Sequence, residues 1–216
     1  MRLFVLADGE EPPADLIRSL HEQCDSFVAA DGGADTALRL GFVPDVVIGD
    51  MDSFQSRAAF AGKTIVDSSQ ETNDLEKALH YAVLQQADHV SVAGATGKRL
   101  DHTLKNLSVL QQFNSRFRSI AFYDARLFMR IIPDDFSISL PPGHPVSLFP
   151  MTGQVQGITT EGLRFSLKNE TLENGRRDGS SNETTHGRVR IRYRSGSLLF
   201  MTALTKELIR YTNLTD

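Results

Sequence analysis

Short apolar runs alternate with amphipathic helical patterns through the first 132 residues of the chain. The runs predict buried strands at residues 3–7, 27–30, 46–48, 64–66, 89–93 and 120–123. Apolar residues recur at helical spacing over residues 13–23 and 73–86. A further helix is predicted after residue 101, with an inner side formed by Leu104, Leu107, Leu110 and Phe113. Strand–helix alternation of this kind predicts an α/β domain with a mostly parallel sheet.

The pattern changes near Pro133, where helical periodicity disappears. Short strands separated by Pro and Gly clusters are predicted at residues 136–140, 146–149, 155–159, 163–167, 188–194 and 198–202. Such a series predicts an all-β antiparallel sandwich. The sequence therefore divides into domains 1–132 and 133–216. The polar stretch 170–187 is predicted as a long loop, of a length that is usually either functional or disordered.

Polar residues follow four of the predicted strands of the first domain. Ligands of parallel, Rossmann-like sheets bind beyond the carboxyl ends of the strands, so these residues are expected to share one edge. Four of them are carboxylates in three loops: Asp50, Asp52, Asp74 and Asp101. Crowded carboxylates repel one another without a cation, and oxygen ligands suit Mg²⁺. Asp and Gly are also usual turn formers, so a turn explains the loop at Asp50 equally well by itself.

Two further loops are suited to phosphate. Residues 94–101 place Gly97, Lys98 and Arg99 at a helix entrance, where backbone amides, the helix dipole and a guanidinium attract anions. Asp31, Gly32 and Gly33 follow another strand and allow a nucleotide to approach the backbone closely. Lys77, one turn after Asp74, is either a phosphate partner or an exposed helix lysine. A carboxylate cluster beside a phosphate loop favours nucleotide–Mg²⁺ chemistry over four unrelated turns.

Composition narrows the class of protein. The 216 residues carry a net charge of −4, which argues against a nucleic-acid-binding surface. Cys24 is the single cysteine, which fits a reducing, cytoplasmic compartment. No apolar run approaches the length that spans a membrane. The arginines that alternate along residues 188–194 are typical of a solvated strand face or a subunit contact.

Taken together, these motifs resemble the thiamine pyrophosphokinase (thiamine diphosphokinase) family over nearly the whole chain. In the first domain the resemblance rests on residues 30–34, 44–53, 73–79 and 94–102, and in the second on residues 146–150, 160–163 and 180–183. It implies an N-terminal ATP-binding catalytic domain and a C-terminal thiamine-binding β-sandwich. It also implies a homodimer whose active sites are shared between the subunits.

The resemblance implies roles for individual residues as well. Asp50, Asp52, Asp74 and Asp101 would hold Mg²⁺ and the ATP phosphates, with Lys77 and Arg99 as phosphate partners. In the long polar stretch, Ser181 and Asn182 would help to enclose thiamine. This chain departs from the family in two ways: Asn73 stands where Thr is common, and no tryptophan is present to stack on thiamine.

The resulting hypothesis is the transfer of a diphosphoryl group from ATP to the hydroxyl group of thiamine, which yields thiamine diphosphate and AMP. One rival is a diphosphokinase for another hydroxymethyl acceptor, such as a pterin. Another is a regulatory module that binds ATP–Mg²⁺ without catalysis. Product analysis separates all three.

Overall fold

The computed structural model of the protein describes residues 1–211, which form two compact units. The first unit comprises Met1–Arg126 together with residues 204–211. Its strands are β1 (Arg2–Leu6), β2 (Ser26–Ala30), β3 (Val46–Gly49), β4 (Lys63–Val66), β5 (His89–Ala93) and β6 (Ser119–Tyr123). Its helices are α1 (Ala14–His21), α2 (Gly33–Arg39), α3 (Asp74–Leu84), α4 (Leu100–Phe113) and α5 (Lys206–Tyr211).

The six strands of the first unit pair in the order β6-β5-β1-β2-β3-β4, and every pair is parallel. The chain moves outward from β1 to β4, and α3 then returns it to β5 on the other side of β1. The strand order therefore reverses between β1 and β5. In an open parallel sheet, a crevice forms at such a point beyond the carboxyl ends of the strands.

Burial explains why these segments form strands and helices. Apolar runs such as Phe4 to Leu6 and Phe27 to Val28 are fully buried, as expected for parallel strands covered on both faces. The Asn73 side chain caps α3 by accepting a hydrogen bond from the amide of Glu76 at 2.9 Å. Gly33 is required at the start of α2, because a Cβ there would lie 2.3 Å from the carbonyl oxygen of Leu6.

The second unit, Leu127–Ala203, is all-β. Its strands are β7 (Leu127–Ile132), β8 (Asp135–Ser139), β9 (Pro145–Pro150), β10 (Gln154–Glu161), β11 (Glu170–Glu173), β12 (Gly179–Glu183), β13 (Arg188–Arg192) and β14 (Leu198–Ala203). They form two antiparallel arrays, β12-β9-β14-β7 and β11-β10-β13-β8. The predicted fold class, an α/β domain followed by an antiparallel β domain, is confirmed.

The units divide at Arg126/Leu127, whereas the sequence pattern places the domain boundary at 132/133. No strand is predicted at β7 from the sequence, yet β7 pairs along its whole length with β14 near the end of the chain. The final segment also differs from the predicted division, since α5 belongs to the first unit and contacts α1. Pairing between residues far apart in sequence leaves no local signal, which explains both differences.

Two predictions about local structure are wrong. Residues 163–167 form no strand and contribute only an isolated bridge between Leu163 and Thr184. The stretch 170–187, predicted as a loop, contains β11 and β12. Strand β12 has the sequence GSSNE, which lacks alternating apolar residues and so gives no strand signal. Backbone pairing with β9 holds it in the sheet.

The predicted inner side of α4 is also partly wrong. Leu104 is 60% exposed, and the buried face consists of Asn106, Val109, Leu110 and Phe113. These residues follow the i, i+3, i+4, i+7 spacing of one helix face, and Leu104 lies outside it. The buried position of Asn106 is polar, so the leucines alone indicated a different inner face of α4.

Two of the three arginines of β13 are engaged within their own unit. Arg190 makes a two-point hydrogen-bonded pair with Asp135, at 2.9 and 2.6 Å, and Arg192 pairs with Glu161 at 3.2 Å. This agrees with a solvated strand face. Among the described helices, none is both long and apolar enough to cross a membrane.

The buried aromatic pair of β1 and β2 provides a test of the core. The rings of Phe4 and Phe27 stack with centroids 4.8 Å apart, and both side chains are fully buried. We expect Phe27→Ala to lower the free energy of unfolding by about 3–5 kcal/mol, measured by urea denaturation. Leu84→Ala, at a position 77% exposed, is the control and should change it by less than about 0.5 kcal/mol. A loss below about 1 kcal/mol for Phe27→Ala would contradict this packing.

Candidate active site at the edge of the parallel sheet

Three carboxylates converge at the carboxyl ends of neighbouring strands. Asp31 follows β2, Asp50 follows β3, and Asp74 opens α3. One oxygen from each lies within 4.8 Å of the others. Repulsion between three such groups disfavours their full ionisation unless a cation lies between them. The donor set, all carboxylate oxygen, is the kind that Mg²⁺ binds.

Asp31 is the most constrained member of this acidic cluster. It is 3% exposed, and its backbone adopts a φ of +41°, a left-handed conformation. Its Oδ2 accepts a hydrogen bond from the amide of Ser53 at 3.1 Å, while Oδ1 is buried and has no donor among the described residues. Burial raises the pKa of Asp31 to about 6, and the neighbouring charges of Asp74 and Asp50 act in the same direction. A buried carboxylate oxygen without a donor fits a cation site.

Gly49 allows these carboxylates to approach each other. A Cβ at this position would lie 2.7 Å from the Cβ of Asp31 and 3.1 Å from Oδ1 of Asp74. Met51 follows with a φ of +68°, so the loop turns sharply after β3. Left-handed backbone at a non-glycine residue costs free energy and is often found at functional sites.

Asp52 lies in the same loop but outside the cluster of Asp31, Asp50 and Asp74. Its Oδ1 accepts a hydrogen bond from the Ser53 hydroxyl at 2.9 Å, and its amide donates to Oδ1 of Asp50 at 3.2 Å. That amide hydrogen bond is the main reason why the pKa of Asp50 is lowered. Among the described residues, the structure brings two of the predicted metal ligands together, Asp50 and Asp74, and adds Asp31.

Lys77 is not an exposed helix lysine. Its side chain is 3% exposed, and Nζ lies 3.0 Å from Oδ1 of Asp74. The pair lies one turn apart on α3, a spacing at which side chains meet. Lys77 therefore places a positive charge directly behind the acidic cluster.

A cavity of about 310 Å³ opens beside the cluster, at the crevice between β1 and β5. Its wall is made mainly of the loops that follow β1, β2 and β5, together with the start of α3 and residues of α4. The lining residues include Asp8, Gly9, Asp31, Gly32, Asn73, Asp74, Gly97, Lys98, Arg99 and Asn106. A neighbouring cavity of about 320 Å³ shares Asn73 and Asp74 with it and also includes Asp50 and Lys77. The predicted phosphate loop and the acidic cluster thus line adjoining spaces.

The loop that follows β5 is held against the loop that follows β1. The amide of Gly9 donates to the carbonyl oxygen of Gly94 at 2.6 Å, and Lys98 Nζ lies 2.7 Å from Oδ1 of Asp8. Gly94 requires glycine, because its φ is +69° and a Cβ would lie 2.5 Å from the carbonyl oxygen of Ala7. Sequence reasoning missed Asp8, although Asp8-Gly9 after β1 repeats the pattern that it used at other strand ends.

Asp101 is likewise outside the acidic cluster. Its carboxylate binds Arg99, whose Nε donates to Oδ1 at 3.1 Å, and both side chains are more than half exposed. The hydrogen bond from Arg99 holds the pKa of Asp101 at about 2. Asp101 and Arg99 therefore form an exposed ion pair, in which Arg99 lines the cavity.

Comparison with known families agrees with this geometry. Residues 17–122 match the thiamin pyrophosphokinase catalytic domain, and residues 135–198 match the vitamin B1 binding domain of the same enzyme. The chain belongs to the thiamine pyrophosphokinase family. The first match contains every residue of the acidic cluster and the loop after β5.

Individual members of the thiamine pyrophosphokinase family are similar to most of the chain. The Bacillus subtilis enzyme is 25% identical over 200 residues, covering 88% of this chain and 94% of its own. Thiamine pyrophosphokinase 1 of Oryza sativa is 29% identical over 194 residues, covering 76% and 74%. The B. subtilis crystal structure superposes with a TM-score of 0.80 over 94% of this chain and 99% of its own. The Candida albicans structure, at 19% identity, supports the fold with a TM-score of 0.83 over 94% and 89%.

The two residues that the thiamine pyrophosphokinase resemblance assigns to substrate differ in their surroundings. Ser181, in β12, is exposed and has a φ of +58°. Asn182 is 7% exposed and clamps the backbone of Phe165, accepting from its amide at 3.0 Å and donating to its carbonyl oxygen at 2.8 Å. Both polar atoms of the Asn182 amide are thus engaged inside the second unit.

The raised pKa of Asp31 predicts a dependence of stability on pH when no divalent cation is present. Because the folded-state pKa of about 6 exceeds the ordinary value of 3.8, stability is fully present below pH 4 and is lost as the pH rises through 6. We expect Asp31→Asn to remove this loss, which is at most about 3 kcal/mol. Thermal melts of both proteins in EDTA from pH 4 to 7 measure it. Parallel melting curves would contradict the assignment.

Proposed function

We propose how this member of the thiamine pyrophosphokinase family carries out its reaction, the transfer of a diphosphoryl group from ATP to the hydroxyl group of thiamine, which releases AMP. The observation that carries the proposal is the acidic cluster of Asp31, Asp50 and Asp74 next to a glycine-rich loop that ends in Lys98 and Arg99. Carboxylates and phosphate-binding cations at one sheet edge are the parts that phosphoryl-transfer chemistry requires.

We propose that Asp31, Asp50 and Asp74 hold Mg²⁺. Their carboxylate oxygens and the donor-free Oδ1 of Asp31 fit this cation. When bound, Mg²⁺ neutralises charge on the transferred phosphates. Asp52, in the loop beside the cluster, and Asp101, which is paired with Arg99, remain proposed catalytic residues.

Cationic side chains and backbone amides of the chain would hold the ATP phosphates. Lys98 and Arg99 stand at the entrance to α4, and Gly97, with a left-handed backbone, lies beside them in the cavity wall. Asp31, Gly32 and Gly33 would border the nucleotide. Lys77, buried behind Asp74, fixes that carboxylate and offsets part of the negative charge of the cluster.

The diphosphoryl transfer needs no reactant besides ATP and thiamine. The thiamine hydroxyl oxygen forms a bond to the β-phosphorus of ATP, and the bond between that phosphorus and the oxygen bridging to the α-phosphate breaks. AMP departs with the bridging oxygen. The hydroxyl proton passes to a carboxylate of the site, for which Asp74 and Asp101 are the proposed acceptors. The protein contributes mainly positioning and electrostatic stabilisation.

We propose that Phe165 supplies the aromatic surface for thiamine in this chain, which has no tryptophan. Phe165 lies in the segment that matches the vitamin B1 binding domain and is 60% exposed. The Arg164 guanidinium lies 5.5 Å from its ring centroid, and Asn182 holds its backbone from both sides. On this proposal Asn182 acts on thiamine by orienting Phe165, and Ser181 contacts it directly.

The resemblance also supports a homodimer with active sites shared between subunits, and a cytoplasmic location. The charge of −4 supports the absence of a nucleic-acid partner. These remain proposals.

The reaction is tested by incubating the purified protein with ATP, Mg²⁺ and thiamine and following AMP and thiamine diphosphate together. Equal amounts of both products, dependent on the metal, are expected. AMP without thiamine diphosphate would point to another acceptor. ATP binding without either product would favour a regulatory module.

The metal assignment predicts which aspartate variants lose activity and stabilisation by Mg²⁺. Asp50→Asn and Asp74→Asn should each lower kcat at least about 100-fold, since each removes a charge that holds the cation. The Mg²⁺-induced rise in melting temperature should also shrink in both, and in Asp31→Asn. Comparing Asp52→Asn with Asp31→Asn in the same melts decides which of the two completes the site. Unchanged Mg²⁺ stabilisation in all four variants would refute the assignment.

The aromatic assignment predicts a substrate-selective defect. Phe165→Ala should raise the KM for thiamine about tenfold and leave the KM for ATP unchanged, because stacking on one ring is lost. Phe149→Ala removes another partly exposed aromatic side chain of the second unit, 39% exposed, and is the matched control. Equal effects of the two substitutions on the KM for thiamine would refute the proposal.

A further inference from the structure

A buried amide on α4 links the two halves of the candidate active site. Asn106 is 8% exposed and lines the cavity beside the acidic cluster. Its Nδ2 donates to the carbonyl oxygen of Ala95, in the loop after β5, at 2.7 Å. Its Oδ1 accepts from Nδ2 of Asn73, at the start of α3, also at 2.7 Å. Both ends of the amide are therefore engaged, one on each side of the cavity.

Asn73 continues the connection to the residues that carry the acidic cluster. Its Oδ1 accepts from the amide of Glu76 at 2.9 Å, and its backbone oxygen accepts from the amide of Lys77 at 3.0 Å. The next residue is Asp74. Three hydrogen bonds thus run in series from Ala95 through Asn106 and Asn73 to the first turn of α3, and each fixes the orientation of the next amide.

Each of the two asparagines uses two separate polar atoms, one that accepts and one that donates, as an amide side chain provides. Asn73 must accept from a backbone amide and also donate to Asn106, and Asn106 must accept from Asn73 and also donate to Ala95. Ala95 is 2% exposed, so a carbonyl oxygen that lost its donor there would stay buried and unsatisfied. Leaving a buried acceptor without a donor costs free energy that a shift of the loop would relieve.

We infer that Asn106 is a positioning residue for the ATP site, which it serves by holding the loop after β5 at a set distance from the helix start that carries Asp74. The inference rests on the proposed function, because it requires the ATP phosphates to bind between these two segments. Asn106 is not a catalytic residue, since it acts through the backbone of Ala95 and through Asn73.

This series of hydrogen bonds, which we call the asparagine relay, also accounts for the departure of this chain from the family pattern at residue 73. A threonine would cap α3 with its hydroxyl oxygen, but it has no amide group to extend toward Asn106. Asparagine caps the helix and donates to the neighbouring amide at the same time. Asn73 and Asn106 are therefore expected to behave as one unit.

The test compares Asn106→Ala, Asn73→Ser and the double variant. Serine keeps a capping oxygen and adds no charge beside Asp74, but it is shorter and lacks the second polar atom with which Asn73 reaches Asn106. Each single substitution should raise the KM for ATP, and the Kd for a non-hydrolysable ATP analogue measured by calorimetry, about tenfold. The KM for thiamine should stay within about twofold. The double variant should have a KM for ATP no higher than that of the more impaired single variant, since both substitutions break the same series of hydrogen bonds.

Gln112→Ala provides the matched control. Gln112 is another amide side chain on α4 that binds α3, donating to Oε1 of Glu76 at 2.8 Å, and it does not line the cavity. Its loss should leave the KM for ATP within about twofold. A purely structural role of Asn106 would lower the melting temperature without a selective effect on ATP.

Two results would overturn the inference: an unchanged Kd for the analogue in folded Asn106→Ala, or multiplicative effects in the double variant. If Asn106→Ala does not fold, Asn73→Ser decides, since an unchanged KM for ATP in that variant also overturns it. Arg99→Ala separates this failure from failure of the proposed function. If Arg99→Ala weakens binding of the analogue and the asparagine variants do not, only the asparagine relay is wrong. If Arg99→Ala also has no effect, the phosphate site itself is wrong.

Discussion

The buried carboxylate of Asp31, crowded by Asp50 and Asp74, is the constraint on which the rest of the candidate site depends. Negative charges this close raise one another's free energy, and burial raises that of Asp31 further. The surroundings reduce this cost without removing it. Ser53 supplies one amide, Lys77 supplies a buried positive charge, and Gly49 leaves room for the approach. A cation between these carboxylates would remove most of the remaining repulsion.

Topology explains why these groups meet. The strand order reverses between β1 and β5, and the cavity lies beyond the carboxyl ends of these strands. The glycines at the edge of the crevice allow backbone to pass backbone closely, as Gly94 does against Ala7. The acidic cluster lies along the same edge, on the side of β2 and β3. One sheet edge therefore carries the acidic cluster and, beside it, the ion pairs of Lys98 with Asp8 and of Arg99 with Asp101.

Amide side chains do similar work in both units of the protein. Asn106 and Asn73 connect the loop after β5 to the start of α3, and Asn182 holds the backbone of Phe165. In each case a buried amide satisfies backbone groups that would otherwise remain without partners, and the segment it holds borders a proposed ligand. Exposed groups, such as Arg99 and the ring of Phe165, are then presented from fixed backbone.

Local sequence determined the elements whose apolar period is complete in itself, such as β5, whose predicted and observed limits agree, and α3 with its Asn73 cap. It also identified the strand ends that carry chemistry, since Gly and Asp after an apolar run are local features. Tertiary structure alone decided that β7 pairs with β14 and that GSSNE forms a strand, because backbone pairing between distant residues leaves no local pattern. It also decided which carboxylates converge. Asp52 and Asp101 carry the same side chain as Asp31, but only the positions of strand ends in the sheet select Asp31 as the third member of the cluster.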